Sequence, residues 1–201
     1  MEDNKLANIE FKEIGGNPVV KSQNAPFVES FYFSKFYEEK AYKKFIQGIE
    51  KLVRTSREYK SYVELLRTNI SALNVDNILS NITNADAEME FHHYPYTLYE
   101  VVDAVCASKF LRKEKFTSFS VAKEVMDLHY KNMIGLVPLT KTNHELAHEG
   151  SLFISSKQVF GEYKAFSDMY DEAIGADVKD RVKKMEEDSD ANRPSDVKGL
   201  F

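Results

Sequence analysis

The sequence carries a single cysteine in 201 residues. That excludes an internal disulfide framework and any zinc knuckle built from Cys-x-x-Cys pairs. With Cys106 alone, a reducing compartment is expected. No apolar run is long enough to span a bilayer, and the acidic start MEDNKLANIE lacks the shape of a signal peptide. These absences predict a cytoplasmic protein with no membrane partner. The pair Gly15-Gly16 is followed by no Gly-Lys-Ser/Thr, so a phosphate-cradling loop is excluded, and no internal repeat is present. Histidine is scarce: there are five, and none follows His148.

What is present fits one soluble domain with room for an extra lobe or tail. The 43% hydrophobic and 29% charged residues are ordinary for a globular chain. A net charge of −5 argues weakly against nucleic acid, but the charge is uneven. Between Lys40 and Lys60, seven Lys/Arg stand against Glu50 and Glu58, leaving +5 on that stretch. A smaller basic run, KFLRKEK, covers 109–115. Such runs are commonly solvated helix faces. If a phosphate backbone is bound, Lys43, Lys44, Lys51, Arg54 and Arg57 are the contacts to expect.

Periodicity places the elements. The first 30 residues read as irregular, with a turn at IGGNP, 14–18. Tyr42, Phe45, Ile46, Ile49, Leu52 and Val53 form one helical stripe. Thr55-x-x-Glu58 is a capping box opening a second helix, with Tyr59, Tyr62, Val63 and Leu66 inward. The asparagine-rich 71–86 reads as loop. Glu88 to Phe91 alternates as a half-buried strand. Helices follow from Thr97-x-x-Glu100 and over about 119–131. GLVPLT, 135–140, reads as a strand in which Pro138 needs a position without a ladder bond. Thr142-x-x-Glu145 caps a short helix that Gly150 can end. Ser155-x-x-Gln158 caps the last clear helix, with Val159, Tyr163, Phe166 and Tyr170 inward. From Asp177 the charged tail reads as frayed after a turn or two.

Four histidines form two pairs. His144 and His148, four apart on a helix, can converge on one metal ion. HELAH resembles the HExxH zincin motif, but Gly150 breaks the helix and no third histidine lies downstream, which argues against a metalloprotease. His92 and His93 are neighbours in a strand, so their side chains point to opposite faces. One can join the helix pair on a metal while the other faces solvent and substrate. That division suits metal-assisted phosphodiester hydrolysis, with the free imidazole taking a proton from water.

Strand, histidine pair, strand and a short helix with His-x3-His together resemble the HNH endonucleases. EFHHYP looks like their first strand motif and GLVPLTKTNHELAHEG like their second strand and metal helix. The wording of HHYPYTLYEVVDAV and LHYKNMIGLVPLTKTNHELAH is most similar to HNH-type proteins of bacteriophages. The resemblance covers roughly 86–150. It implies a ββα-metal unit in which His92, His144 and His148 hold the ion and His93 is the general base. Glu90 matches an acidic position of colicin-type nucleases beside the metal ligands. The family's asparagine, which orients the base, would fall at Gly135. Asn132 is then either its replacement, presented by the helical insertion, or an ordinary helix-end residue. The family's Cys-x-x-Cys staple is also missing, with Thr140 and Asn143 where its second pair would stand, so hydrophobic packing is expected to hold the unit together.

The sequence thus predicts an α+β, mostly helical chain with an HNH-like hairpin-plus-helix core and inserted and flanking helices. The expected divisions are a helical region over 1–70, the HNH-like domain over 71–175 with its insertion at 97–131, and a charged flexible tail over 176–201. The expected function is metal-dependent cleavage of DNA, with Mg2+, Mn2+, Zn2+ or Ni2+ as cofactor. Three histidine ligands favour a borderline transition metal over magnesium. An RNA-cutting nuclease uses the same chemistry. The alternative from another class is a degenerate HNH-like module with a structural metal, acting as a nucleic-acid- or protein-binding scaffold subunit.

Overall fold

The computed structural model describes residues 38–191 with their side chains, and the backbone of two strands at 10–14 and 17–21. Those strands, β1 (Glu10–Ile14) and β2 (Asn17–Lys21), pair antiparallel with Ile14 opposite Asn17. A hairpin therefore stands where the sequence reads as irregular chain within a helical region. The intervening Gly15 and Gly16 lie outside the described residues.

The chain then runs α1 (Glu39–Thr55), α2 (Arg57–Asn69), β3 (Met89–His93), α3 (Leu98–Leu111), α4 (Ser118–Tyr130), β4 (Leu136–Thr140), α5 (Lys141–His148), α6 (Tyr163–Met169) and α7 (Ala176–Asp190). The architecture is mostly helical α+β. The stripe of α1 buries Phe45, Ile46, Ile49 and Val53 against α3 and α4. The Tyr42 hydroxyl donates to Asp103 across the α1–α3 contact. Ser56, not Thr55, caps α2, accepting from the Tyr59 N–H at 3.0 Å. Thr55 instead donates to its own helix at the Lys51 carbonyl. The Thr97–Glu100 box is formed as the sequence predicts. The Ser155–Gln158 box is also formed, but it closes a single turn (Ser156–Gln158), and α6 begins only at Tyr163.

β3 and β4 pair antiparallel, with Glu90 opposite Leu139 and His92 opposite Val137. The outward backbone groups of β4 are occupied by other segments. Leu136 exchanges two bonds with Phe160, Asn77 N–H reaches the Pro138 carbonyl, and Thr140 N–H reaches Asp76. Pro138 sits in this outward set, where no ladder donor is needed. Alternation gives the small sheet two different faces. Phe91 and Leu136 join the large helical core. Val137 and Leu139 form a second cluster with Leu152 and Ile154, against Leu146 and Ala147 of α5.

Where the sequence predicts a flexible tail from 176, α7 runs for 15 residues. Val182 and Met185 are buried on one of its faces. Arg181 bonds the Pro95 carbonyl and the Glu100 carboxylate, and Tyr163 donates to Glu186. These few inward residues outweigh the helix's charge, most of which faces water.

Candidate metal centre

Glu90 and His92 project from one face of β3, and α5 lies across that face. Thr140 caps α5, accepting from Asn143 N–H, so the cap lies two residues earlier than the predicted Thr142. Gly150, at φ +70, supplies the left-handed turn after the helix. A ligand atom from each of His92, His144 and His148 falls within 4.8 Å of the others. The three sites grade from buried His92 to exposed His148, so the cluster opens to solvent.

The hydrogen bonds turn the His144 lone pair inward, where His148 Nε2 donates to it in the absence of an ion. His144 Nδ1 donates to the Glu90 carboxylate at 2.5 Å, which leaves His144 Nε2 facing His148 Nε2 at 3.1 Å. A carboxylate holding the far nitrogen is how metal-binding histidines are commonly oriented. His92 Nδ1 is buried with no hydrogen-bond partner. Burial, then the neighbouring His144, His148 and Arg54, push the His92 pKa down to about 3. Burial, His144 and Arg54 likewise lower His148. Both shifts favour the neutral imidazoles of His92 and His148, the form in which a histidine binds a divalent cation.

His93 lies on the opposite face, as strand alternation predicts, but it does not face solvent. It is 4% exposed, beneath Tyr59 of α2, whose ring stacks on it at 6.0 Å. The sequence could not show this, because the covering Tyr59 lies 34 positions away. Burial, then His129 and Arg54, hold the His93 pKa well below its usual value. Its ring is bonded by His129, Nε2 to Nε2 at 3.1 Å. Asn132 has the left-handed backbone of a helix-end residue, φ 56. Its N–H bonds the His129 carbonyl and its own carbonyl accepts from Glu162. At Gly135, an added Cβ would lie 2.0 Å from the Tyr94 carbonyl oxygen, so no asparagine fits there.

The missing cysteine staple has a counterpart that sequence reasoning passed over. Asp76, from the asparagine-rich loop, is 0% exposed. Its carboxylate accepts from the N–H groups of Ile78, Leu79 and Thr140 and from the Asn143 amide. Thr140 and Asn143 are the positions where the family's second cysteine pair would stand. A hydrogen-bonded carboxylate therefore anchors the start of α5, in addition to the expected hydrophobic packing.

Of the basic candidates, Arg54 is close enough for its charge to act on His92, His93, His129 and His148. Its guanidinium pairs with Glu50 at 3.0 Å. Lys43 pairs with Glu39 at 2.6 Å and, with Lys44, lines a groove about three helical turns, or about 16 Å, from Arg54 along α1. Lys51 and Arg57 are exposed near the Arg54 end.

Comparison with known proteins gives one family: bacteriophage G278-like virion protein, matching residues 4–200. No curated protein and no solved structure matches the chain. Among the described residues, no helix is long and apolar enough to cross a membrane.

Proposed function

The chain belongs to the bacteriophage G278-like virion protein family, and we propose that it serves the phage particle as a metal-dependent phosphodiesterase of HNH type acting on DNA. The particle, rather than the free cytoplasm the composition suggests, is the place this reading gives it. The observation that carries it is the convergence of His92, His144 and His148 from a strand and a helix, with Glu90 orienting His144. Three protein ligands leave a coordination position open, as hydrolytic sites do and closed structural sites do not.

In this reading, the three histidines hold one divalent ion, with zinc, nickel or manganese favoured over magnesium by the nitrogen donors. A divalent ion held there would supply positive charge against the phosphate. His93 takes the proton of the attacking water as the water oxygen bonds to phosphorus and the bond to the leaving oxygen breaks. Arg54, assisted by Lys51 and Arg57, holds the phosphodiester backbone. RNA offers the same bond to the same groups.

A second reading is a scaffold subunit with a structural metal. The burial of His93 beneath Tyr59 favours it, since a base must reach its water. Nicking of supercoiled plasmid separates the two. Chelator-treated protein is given manganese, magnesium, zinc or nickel, beside His93→Ala and His144→Ala. Cleavage is expected with wild type, is lost in His93→Ala with metal still bound, and is lost together with metal in His144→Ala. Bound metal without cleavage of plasmid or RNA establishes the scaffold reading, and an active His93→Ala protein removes His93 as the base.

A further inference from the structure

His129 is the histidine that neither the metal cluster nor the proposed base accounts for. It is 1% exposed and meets Tyr59 and Tyr62 edge-on, with ring centroids 5.5 and 5.4 Å away. Its Nδ1 lies 2.8 Å from the Val125 carbonyl oxygen, one turn back on α4. A carbonyl only accepts, so Nδ1 carries the proton. Burial pushes the His129 pKa down to about 4. Near neutral pH the ring is therefore singly protonated, and its Nε2 is a bare lone pair. That lone pair faces His93 Nε2 at 3.1 Å. Two bare nitrogens cannot bond, so His93 Nε2 donates and His93 Nδ1 is left unprotonated. Turning the His93 ring over would set a C–H against the lone pair, and the stacked Tyr59 ring, inclined by 19°, holds the ring plane.

We infer that His129 is the positioning residue of His93: it fixes the ring and its tautomer so that Nδ1 is the basic nitrogen. It thereby does the work of the asparagine that cannot fit at Gly135. The inference rests on the phosphodiesterase reading, in which His93 is the base. A neutral imidazole has two interconverting tautomers, and a base held in one of them keeps its lone pair aimed throughout the encounter with water. The sequence signal was present in LHYKN, where His129 precedes Asn132 by one helical turn. Its pairing with His93 became visible only once α4 was placed beside β3.

The test begins with nitrogen NMR of the full chain labelled at histidine, assigned with His93→Ala. Wild type is expected to show His93 protonated at Nε2 alone and His129 protonated at Nδ1 alone. His129→Phe keeps an aromatic ring between the two tyrosines but removes the acceptor. Its kcat for plasmid nicking is expected to fall about 100-fold, with KM and metal affinity within about twofold of wild type. His129→Gln restores an acceptor oxygen and is expected to recover part of the rate. A His93 proton on Nδ1, or a mixture of tautomers in wild type, overturns the inference without any variant. If His129→Phe does not fold, that spectrum and the glutamine variant decide. Wild-type nicking with an equally active His129→Phe sinks this inference alone. A wild type that cleaves nothing removes the phosphodiesterase reading and the positioning role with it.

Discussion

Replacing Asp76 by asparagine should destabilise the protein far more than a one-atom change suggests. The carboxylate is fully buried and meets donors on both oxygens: Ile78 and Leu79 N–H at 2.8 and 2.7 Å on one, Thr140 N–H on the other, and the Asn143 amide on both. An asparagine supplies one acceptor oxygen and one NH2. Turned one way the NH2 strands the Ile78 and Leu79 N–H groups; turned the other it strands the Thr140 N–H together with its own N–H pointing at that donor, at about 1–3 kcal/mol each. A loss of about 2–5 kcal/mol follows. The chain has no tryptophan, so urea unfolding is followed by tyrosine fluorescence and far-ultraviolet circular dichroism. With a slope of about 1–3 kcal/mol per molar urea, the midpoint should drop by about 1–2 M. The pH dependence gives an independent check. Burial raises the Asp76 pKa, but the bonds from Thr140, Leu79, Ile78 and Asn143 outweigh it and hold the group below its usual range. The unfolded chain therefore binds this proton first. The stabilisation is present above about pH 3.9 and is lost as pH falls through the lower folded value. The gap between wild type and Asp76→Asn should close on acidification. A midpoint shift below about 0.3 M near neutral pH would refute the account.

Gly135→Ala forces a Cβ to 2.0 Å from the Tyr94 carbonyl oxygen. It should cost at least about 3 kcal/mol, a fall in Tm of about 6–12 °C by calorimetry; a fall under about 3 °C contradicts the close approach. Glu90→Gln removes the charge that orients His144. Zinc titration should show affinity lowered about 10- to 100-fold, while stability of the metal-free protein changes by at most about 1 kcal/mol because the Glu90 side chain is only half-buried and water screens its bond to His144; unchanged affinity would mean that Glu90 does not act on the site. The metal-free protein should also lose stability as pH falls from about 6.5 towards 4, because His92 and His129 remain neutral when folded, with pKa values pushed to about 3 and about 4, while the unfolded chain takes up protons. Each group contributes about 1.4 kcal/mol per pH unit in that window, and denaturant melts across the range that show no such slope would place these rings in water.

The parts of the site legible in the sequence are those set by short periods. His144 and His148 share a face because four residues are about one helical turn, and His92 and His93 separate because a strand alternates. The same logic found α1, α3, α4 and both strands of the small sheet. Long-range contacts were not legible: Tyr59 over His93, His129 against His93 and Asp76 under α5 depend on where helices come to rest, and no local pattern encodes that. Charge misled in two opposite directions. The net negative tail reads as frayed chain, yet Val182 and Met185, with Arg181 on Glu100, suffice to dock α7. The basic stretch reads as one surface, yet Lys43 is engaged with Glu39 at one end of α1, while at the other the charge of Arg54 acts on the histidines. A helix displays its charges along its length, and a site draws only on the turn that faces it. If α1 holds DNA as a continuous basic face, Lys43→Ala and Lys44→Ala should weaken binding as much as Arg54→Ala does. If the contact is local to the metal, Arg54→Ala should lower cleavage and the two lysine variants should leave it near wild type, and the geometry supports this second outcome.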